Sequence, residues 1–268
     1  MKKGIRAHDI PEKGLVNICA RCRAAGITYL QLVLEKSVRG FTGGSFSEEY
    51  ARSLKEQLRG MEIAILGSYI DPSSPDDAVL EANIEKFKEK IRYASVLEPI
   101  AVGTETGIYK EGETDTEEAY SRVLSTFRIL VGEAEKYGVA IAIEGVWSFV
   151  INTPRKMKRL IDDLNSDSVK VIFDPVNYLN IDNYEDQDAI INEAFDLLAD
   201  RICVLHAKDF TVADGVLKKA KIGKGALNYD LIFKRLRESG LDIPVICEEV
   251  DDREAVLAFR RLEGKARA

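Results

Sequence analysis

The sequence contains few cysteines and histidines and no long apolar segment. Its 268 residues include four cysteines and two histidines. The N-terminal region does not join a basic start to an apolar core, so no signal peptide is predicted. No apolar run approaches the roughly 20 residues that a membrane-spanning helix needs. These absences predict a protein that has no membrane partner.

The cysteines do not follow a zinc or disulfide pattern. Cys19 and Cys22 form a single C-x-x-C, whereas Cys203 and Cys247 lie within predicted core strands. No second C-x-x-C completes a zinc ribbon, and no thioredoxin-like βαβ unit surrounds the pair. We interpret Cys19 and Cys22 as small residues one turn apart on an amphipathic helix, and we expect a reducing, cytoplasmic environment.

Positive charge is scarcer than negative charge. The chain has 38 Lys and Arg residues against 45 Asp and Glu residues, for a formal net charge of -7. An acidic chain is poorly suited to bind a phosphate backbone or an anionic membrane surface. No nucleic-acid partner is therefore expected. A small phosphorylated substrate stays open, because a few local cations suffice to bind one.

Strand-like and helix-like segments alternate eight times, and no stretch resembles a linker. The predicted strands cover residues 4–7, 27–34, 61–66, 100–102, 139–143, 169–173, 201–205 and 243–247. Consecutive parallel βα units of this total length close into an α/β (βα)8 TIM barrel, here predicted as a single domain over residues 1–268. An open, doubly wound sheet is the alternative. Its edge strands would usually be less uniformly apolar than these strands.

Ionisable residues follow four of the predicted strands. The run Val169–Phe173 suits a strand buried on both faces, and it leads directly into Asp174. Strands five, seven and eight end in the same way, at Glu144, His206 and Glu248. Because active sites of such barrels lie at the C-terminal ends of the strands, we expect these side chains to converge on one divalent metal ion. Local pairing of each residue with a lysine or arginine is the alternative.

The motif His206-x-Lys208 adds a candidate catalytic residue. In an extended chain, residues two apart face the same side, so Lys208 is predicted to point toward the same space as His206. Lys208 could polarise a substrate oxygen or donate a proton, or it could form a salt bridge with a carboxylate; both alternatives stay open. Asp209 faces away from this space and is predicted to be a structural hydrogen-bond acceptor.

Three further residues are candidates for substrate contact. His8 ends the first strand, and it could instead be a structural histidine. Trp147, the single tryptophan, could form an apolar wall for a sugar ring or could simply pack. Glu105 in G-T-E-T-G could bind a hydroxyl group or be solvated. The loop Gly223-Lys-Gly225 could hold phosphate on its backbone N–H groups or be a simple turn.

The segments I-A-I-E-G, I-F-D-P-V-N, L-H-A-K-D and I-C-E-E, in this order and spacing, resemble the xylose isomerase-like TIM-barrel superfamily of sugar-phosphate isomerases and epimerases. The resemblance covers nearly the whole chain. It implies one divalent metal ion (Mn²⁺, Mg²⁺, Co²⁺ or Zn²⁺) with four ligands: Glu144, Asp174, His206 and Glu248. Glu249 competes for the last position, and Glu248 is preferred because it comes first after the apolar run.

The resemblance also implies an activity. A small sugar or sugar phosphate would lose a proton to Glu144 or Glu248, form an enediolate, and regain a proton from the opposite glutamate as an isomerised or epimerised product. Lys208, proposed above from the His-x-Lys motif, completes the set of three predicted catalytic residues. A homodimer or a homotetramer is compatible with this activity.

The sequence departs from the ketose 3-epimerase branch of this superfamily. Asn177, our fourth candidate for substrate contact, stands three residues past Asp174, where that branch has a histidine. Val150 and Val212 replace its glutamate and arginine, which argues against 3-epimerisation of a free ketose. The H-x-K-D sequence is more similar to inosose-dehydratase-like members.

Three alternative functions follow. A metal-dependent dehydratase would use the same enediolate, and a non-catalytic sugar-binding barrel would not turn its ligand over. Endonuclease IV, a relative with three zinc ions and several histidines, is disfavoured by two histidines and an acidic chain.

Overall fold

The computed structural model describes residues 1–12, 14–107 and 116–267. Its strands are β1 (Lys2–Arg6), β2 (Tyr29–Leu32), β3 (Glu62–Gly67), β4 (Ala101–Thr104), β5 (Ile141–Glu144), β6 (Val169–Phe173), β7 (Ile202–Ala207), β8 (Phe210–Ala213), β9 (Val216–Lys219) and β10 (Pro244–Cys247). Within the described ranges, β1 to β7 and β10 close into a barrel in chain order, and β8 pairs only with β9. All pairings in the barrel are parallel. The predicted (βα)8 barrel is therefore confirmed, and the open sheet is wrong.

Helices connect consecutive barrel strands. They are α1 (Leu15–Ala24), α2 (Leu34–Ser37), α3 (Glu48–Leu58), α4 (Asp77–Leu97), α5 (Glu117–Tyr137), α6 (Pro154–Leu164), α7 (Gln187–Leu198), α8 (Tyr229–Glu238) and α9 (Asp252–Arg267). Thr114, the predicted start of α5, lies outside the described residues; Thr116 caps the observed helix by accepting the N–H of Ala119. No helix in the described ranges is both long enough and apolar enough to cross a membrane.

The core has two layers, as expected when parallel strands are covered on both faces. Inside the barrel, buried residues from successive strands pack together, among them Ala64, Ile65, Ala142, Ile172 and Val204. A larger apolar layer lies between the strands and the surrounding helices. Because the barrel interior is filled with side chains, substrate has access only to the ends of the strands.

Three segments differ from the prediction. The seventh strand is longer and contains His206, whereas a strand ending at residue 205 was predicted. The second strand ends at Leu32 instead of the predicted residue 34, and Leu34 begins α2. The β8–β9 hairpin was predicted as a loop. Its turn residues Asp214 and Gly215 both have positive φ, 55° and 72°, which is typical of an Asp-Gly hairpin turn and was the missed signal in the sequence.

Candidate active site

The four predicted metal ligands meet at one end of the barrel. Glu144 ends β5, Asp174 follows β6, His206 lies in β7 and Glu248 follows β10; each is at most 4% exposed. The Nδ1 atom of His206 lies 3.1 Å from Oε1 of Glu144 and 3.4 Å from Oε1 of Glu248. It lies 3.8 Å from Oδ2 of Asp174. Barrel closure therefore brings together four side chains that span about 100 residues of sequence.

Lys208 contacts two carboxylates of this cluster. Its ammonium nitrogen lies 2.8 Å from Oδ2 of Asp174 and 2.9 Å from Oε2 of Glu248. It also donates a hydrogen bond to Oδ1 of Asn177 at 3.1 Å. The prediction that Lys208 faces the same space as His206 is confirmed, and so is the salt-bridge alternative for this residue. Its catalytic role stays a prediction.

The buried charges shift one another's protonation. Burial raises the pKa of the Asp174 carboxyl above its ordinary value, although Lys208 opposes the shift. Burial alone would lower the pKa of His206, but the carboxylates of Glu248 and Glu144 raise it to about 9. Burial likewise opposes charge on Lys208, and the Asp174 and Glu248 carboxylates raise its pKa nonetheless. Three buried carboxylates thus stabilise any cation placed among them.

The donor atoms fit a divalent metal ion. Ligand atoms of Glu144, Asp174 and His206 all lie within 4.8 Å of one another. Glu248, the fourth predicted ligand, lies beside this group of three, with its Oε1 atom 3.4 Å from Nδ1 of His206. Carboxylate oxygens with one imidazole nitrogen suit Mn²⁺, Mg²⁺, Co²⁺ or Zn²⁺.

Glu249, the competitor for the fourth position, points elsewhere. It is exposed, it has a φ of 57°, and its carboxylate lies 3.3 Å from Nζ of Lys219 on the hairpin. The left-handed backbone at residue 249 turns the chain away from the cluster. The geometry therefore favours Glu248 over Glu249 as the ligand.

Asn177 orients two members of the cluster. Its Nδ2 donates to Oε1 of Glu144 at 2.7 Å, and its Oδ1 accepts from Lys208. Its backbone N–H, together with that of Val176, donates to Oδ1 of Asp174. Hydrogen bonds of this kind fix the direction of metal ligands. Asn177 also lines the cavity described next, and its predicted contact with substrate stays a prediction.

A cavity of about 410 Å³ opens over the cluster. His8 and Glu105, both predicted to contact substrate, lie in its wall with Glu144, Lys208 and Glu248. Burial, followed by the nearby Glu144 carboxylate, raises the pKa of Glu105 to about 7. This volume lies in the range of small-molecule binding sites.

Trp147 lies outside that group. It is not among the residues lining the cavity, and its side chain is 48% exposed, so about half of it is covered by the protein. Its backbone N–H donates to the carbonyl oxygen of Asn177 at 2.6 Å. Its contact with a sugar ring stays a prediction.

Sequence reasoning missed a polar pair in the cavity wall. Gln31 lies in β2 and is 1% exposed, and its Nε2 donates to Oη of Tyr69 at 2.5 Å. Burial, followed by the Glu144 carboxylate, raises the pKa of Tyr69 well above its ordinary value, so the phenol stays protonated. The glutamine in the otherwise apolar run L-Q-L-V-L was the available signal.

A glycine beside Glu144 makes room for a tyrosine. A Cβ atom on Gly145 would lie 2.3 Å from Oη of Tyr178, which is far below an ordinary contact. Tyr178 is 1% exposed, and its ring packs near that of Phe173 with 6.4 Å between the ring centroids. Glu144 and Asp174 are thus each adjacent in sequence to a residue that touches Tyr178.

Asp209 holds the loop after the hairpin. Its Oδ2 accepts the backbone N–H groups of Gly223 and Gly225 at 2.9 and 2.8 Å, and its Oδ1 accepts those of Phe210 and Leu227. The predicted structural role of Asp209 is confirmed. The glycine N–H groups that could have held a phosphate already bind this carboxylate, so the phosphate-loop alternative is not supported.

Replacing Asp209 with asparagine is expected to destabilise the fold. One carboxylate oxygen would become an amide nitrogen that cannot accept from Gly223 and Gly225, leaving two half-buried donors without that partner. At roughly 1–3 kcal/mol for each unpaired group, the free energy of unfolding should fall by about 3 kcal/mol. Urea denaturation would measure this loss. Asp214→Asn, at the exposed hairpin turn, is the matched control and should change stability little; equal stability of the two variants would contradict the loop-holding role.

Residues 19–265 match the model of the xylose isomerase-like TIM barrel family. The chain therefore belongs to this family. An uncharacterised protein of Methanocaldococcus jannaschii is 25% identical over 214 residues, covering 78% of this chain and 71% of the relative. The inosose dehydratase of Serratia proteamaculans is 22% identical over 269 residues, covering 91% of this chain and 86% of the relative.

Solved structures share the fold. The IolI protein with a bound zinc atom superposes with a TM-score of 0.79 at 19% identity, covering 99% of this chain and 98% of the other. D-psicose 3-epimerase from Clostridium cellulolyticum H10, solved with D-tagatose, gives a TM-score of 0.77 at 18% identity and covers 99% of both chains. At these identities the comparison shows common architecture only.

Proposed function

We propose that the protein is a divalent-metal-dependent isomerase or epimerase that acts on a small sugar or sugar phosphate through an enediolate. The convergence of Glu144, Asp174, His206 and Glu248 around one point carries this proposal. The zinc atom bound in the similarly folded IolI structure supports a metal in this protein, and the D-tagatose in the epimerase structure supports a sugar as the substrate class.

A bound divalent cation would polarise the carbonyl and hydroxyl oxygens of the substrate. The protein supplies the acid–base chemistry. Glu144 on β5 and Glu248 after β10 stand on opposite sides of β6 and β7 in the barrel wall, so they can approach a planar enediolate from different directions. One removes the proton beside the carbonyl, and the other returns a proton to the opposite face or to the neighbouring carbon. Asn177 keeps Glu144 in position.

Dehydration is the second candidate. The relative at 22% identity is an inosose dehydratase, and Lys208 lies between Asp174 and Glu248 as an ammonium that can protonate a departing hydroxyl group. In this reaction a glutamate removes a proton from carbon, the C–O bond at the β position breaks, and water leaves with the proton from Lys208. No oxidant is required.

A single experiment separates these functions. The protein loaded with Mn²⁺ is incubated in D₂O with ketoses, aldoses, their phosphate esters and a keto-inositol, and mass spectrometry follows the products. Deuterium in a recovered isomer or epimer supports the leading proposal. Loss of water with a new enone absorbance supports the dehydratase. Binding of a sugar without exchange would instead favour a non-catalytic sugar-binding barrel.

Lys208→Met is expected to lower turnover by about 100-fold, because a positioned proton donor typically contributes at least that factor. Mn²⁺ binding should persist, since Lys208 is not a ligand. Isothermal titration calorimetry and the deuterium assay measure the two effects. Lys218→Met, on the exposed hairpin, is the control and should leave both unchanged. Full turnover in the Lys208 variant would mean that the lysine only neutralises carboxylates.

A further inference from the structure

A buried polar pair faces the cavity from the wall across the barrel from the proposed metal ligands. In the ring of eight strands, β2 lies opposite β6 and β3 lies opposite β7. Gln31 on β2 and Tyr69 after β3 therefore face Asp174 and His206 across the mouth. Both line the 410 Å³ cavity, and none of the roles assigned above uses them.

Gln31 has an unpaired acceptor. The side chain is 1% exposed, its Nε2 donates to Tyr69, and its Oε1 has no hydrogen-bond partner among the described residues. A buried acceptor without a partner is unfavourable, and most such groups in folded proteins are paired. An acceptor that lines a cavity can obtain its partner from a ligand.

Tyr69 supplies the complementary group. Its oxygen accepts from Gln31, so its own O–H remains available to donate. The pair therefore offers one donor and one acceptor side by side. Exchanging the oxygen and nitrogen of the Gln31 amide reverses the hydrogen bond within the pair but still leaves one donor and one acceptor.

The pair is held in place by close packing. A Cβ atom on Gly67 would lie 2.8 Å from Cγ2 of Val33 and 2.9 Å from Cε2 of Tyr69, so only glycine lets the Tyr69 ring lie against β3. Gln31 is fixed by strand pairing, with Arg6 and Ile65 as its neighbours on β1 and β3. The donor and acceptor are thus preorganised for a ligand.

We propose that Gln31 and Tyr69 bind a hydroxyl group at the end of the substrate remote from the metal ligands, and thereby select a polyhydroxy substrate that is uncharged at that end. This inference rests on the proposed function. A hydroxyl group donates to one member of the pair and accepts from the other at the same time. A phosphate dianion has no proton to donate, so the Oε1 atom of Gln31 would stay without a partner. Arg6 and Lys36 line the same cavity as Glu105 and would attract an anion, so a phosphate ester is included among the probes.

The test is calorimetric and uses the full-length protein loaded with Mn²⁺. The probes are xylitol, galactitol, myo-inositol and galactitol 1-phosphate. The variants are Gln31→Met, Tyr69→Phe and the double variant, with Gln57→Met on the outer helix α3 as the matched control. Mn²⁺ affinity and the thermal melt are measured for each protein, because a general structural defect would change them.

Gln31→Met and Tyr69→Phe should each lower the affinity for the tightest-binding neutral polyol by about 3- to 10-fold. This is the factor that the loss of one neutral hydrogen bond produces. The loss of polyol affinity in the double variant should be smaller than the product of the two single losses, because the residues act as a pair. Mn²⁺ affinity should not change, and Gln57→Met should behave as wild type. The phosphate ester should bind no tighter than galactitol.

Other outcomes would overturn the inference. Unchanged polyol affinity in both single variants removes the hydroxyl site and leaves the proposed function standing. Wild-type protein that holds Mn²⁺ but binds no polyol or ester overturns both. The phosphate ester could instead bind tenfold tighter than galactitol and lose this difference in Gln31→Met. That result would show that Gln31 and Tyr69 bind an anionic group and not a neutral hydroxyl group. If Gln31→Met does not fold, Tyr69→Phe alone tests the inference, because phenylalanine keeps the aromatic ring packed against Gly67.

Discussion

Glu144→Gln should reduce solvent-deuterium exchange at the carbon beside the substrate carbonyl by about 1,000-fold or more while the barrel stays folded. The amide keeps the shape of the side chain but cannot take up a proton, and positioned acid–base groups contribute factors of about 10² to 10⁴. The fold should persist because the change removes one of three buried negative charges. Exchange is measured by mass spectrometry at saturating Mn²⁺, and folding by circular dichroism.

The matched control for this variant is Glu249→Gln. Glu249 lies beside the same cavity, but its side chain is exposed and faces Lys219. Its replacement should leave exchange close to the wild-type rate. If Glu144→Gln, with Mn²⁺ bound, exchanges deuterium as fast as this control, Glu144 is not the base, and the acid–base pair must be sought elsewhere.

Asp174→Asn should weaken Mn²⁺ binding by about 100-fold or more. Losses of 10- to 100-fold are typical even for residues that only orient a ligand, and here a charged ligand is lost. The variant should fold, because the side-chain oxygen of asparagine can still accept the N–H groups of Val176 and Asn177, as Oδ1 of Asp174 does. Calorimetric titration with Mn²⁺ measures the affinity, and turnover should return in part at high Mn²⁺ concentration.

Asp182→Asn tests whether charge alone explains that result. Asp182 lies in the loop between β6 and α7, carries the same charge and is exposed. Its replacement should leave Mn²⁺ affinity unchanged. Equal losses of Mn²⁺ affinity in the two variants would indicate that Mn²⁺ is attracted by the overall negative charge of the protein and does not bind at a specific site that contains Asp174.

The barrel and the proposed ligand set could be predicted from the sequence because both depend on local patterns. Apolar runs such as Val169–Phe173 specify strands that are buried on both faces, and a residue following such a strand must lie at the C-terminal end of the barrel. Glu144, Asp174 and Glu248 were placed by this rule. His206 lies inside its strand, but it is the residue before the last in β7, and its side chain still reaches the cluster.

The cavity wall and the loops could not be predicted in the same way. Gln31 and Tyr69 are 38 residues apart, and their contact exists only because β2 and β3 are neighbours in the closed sheet. The bridge from Asn177 to Glu144 and Lys208 likewise depends on side-chain directions across three strands. The β8–β9 hairpin was missed although its Asp-Gly turn was present in the sequence. Contacts between distant segments are not encoded in local periodicity.

The absence of a side chain at Gly145 has a consequence for protein engineering. Directed-evolution libraries often vary the residues next to a catalytic carboxylate in order to accept new substrates. At position 145 every alternative residue would push against Oη of Tyr178, and that ring packs near Phe173, the residue before Asp174. One substitution would thus disturb two strands of the site together, so productive libraries should leave position 145 as glycine and diversify the opposite rim instead.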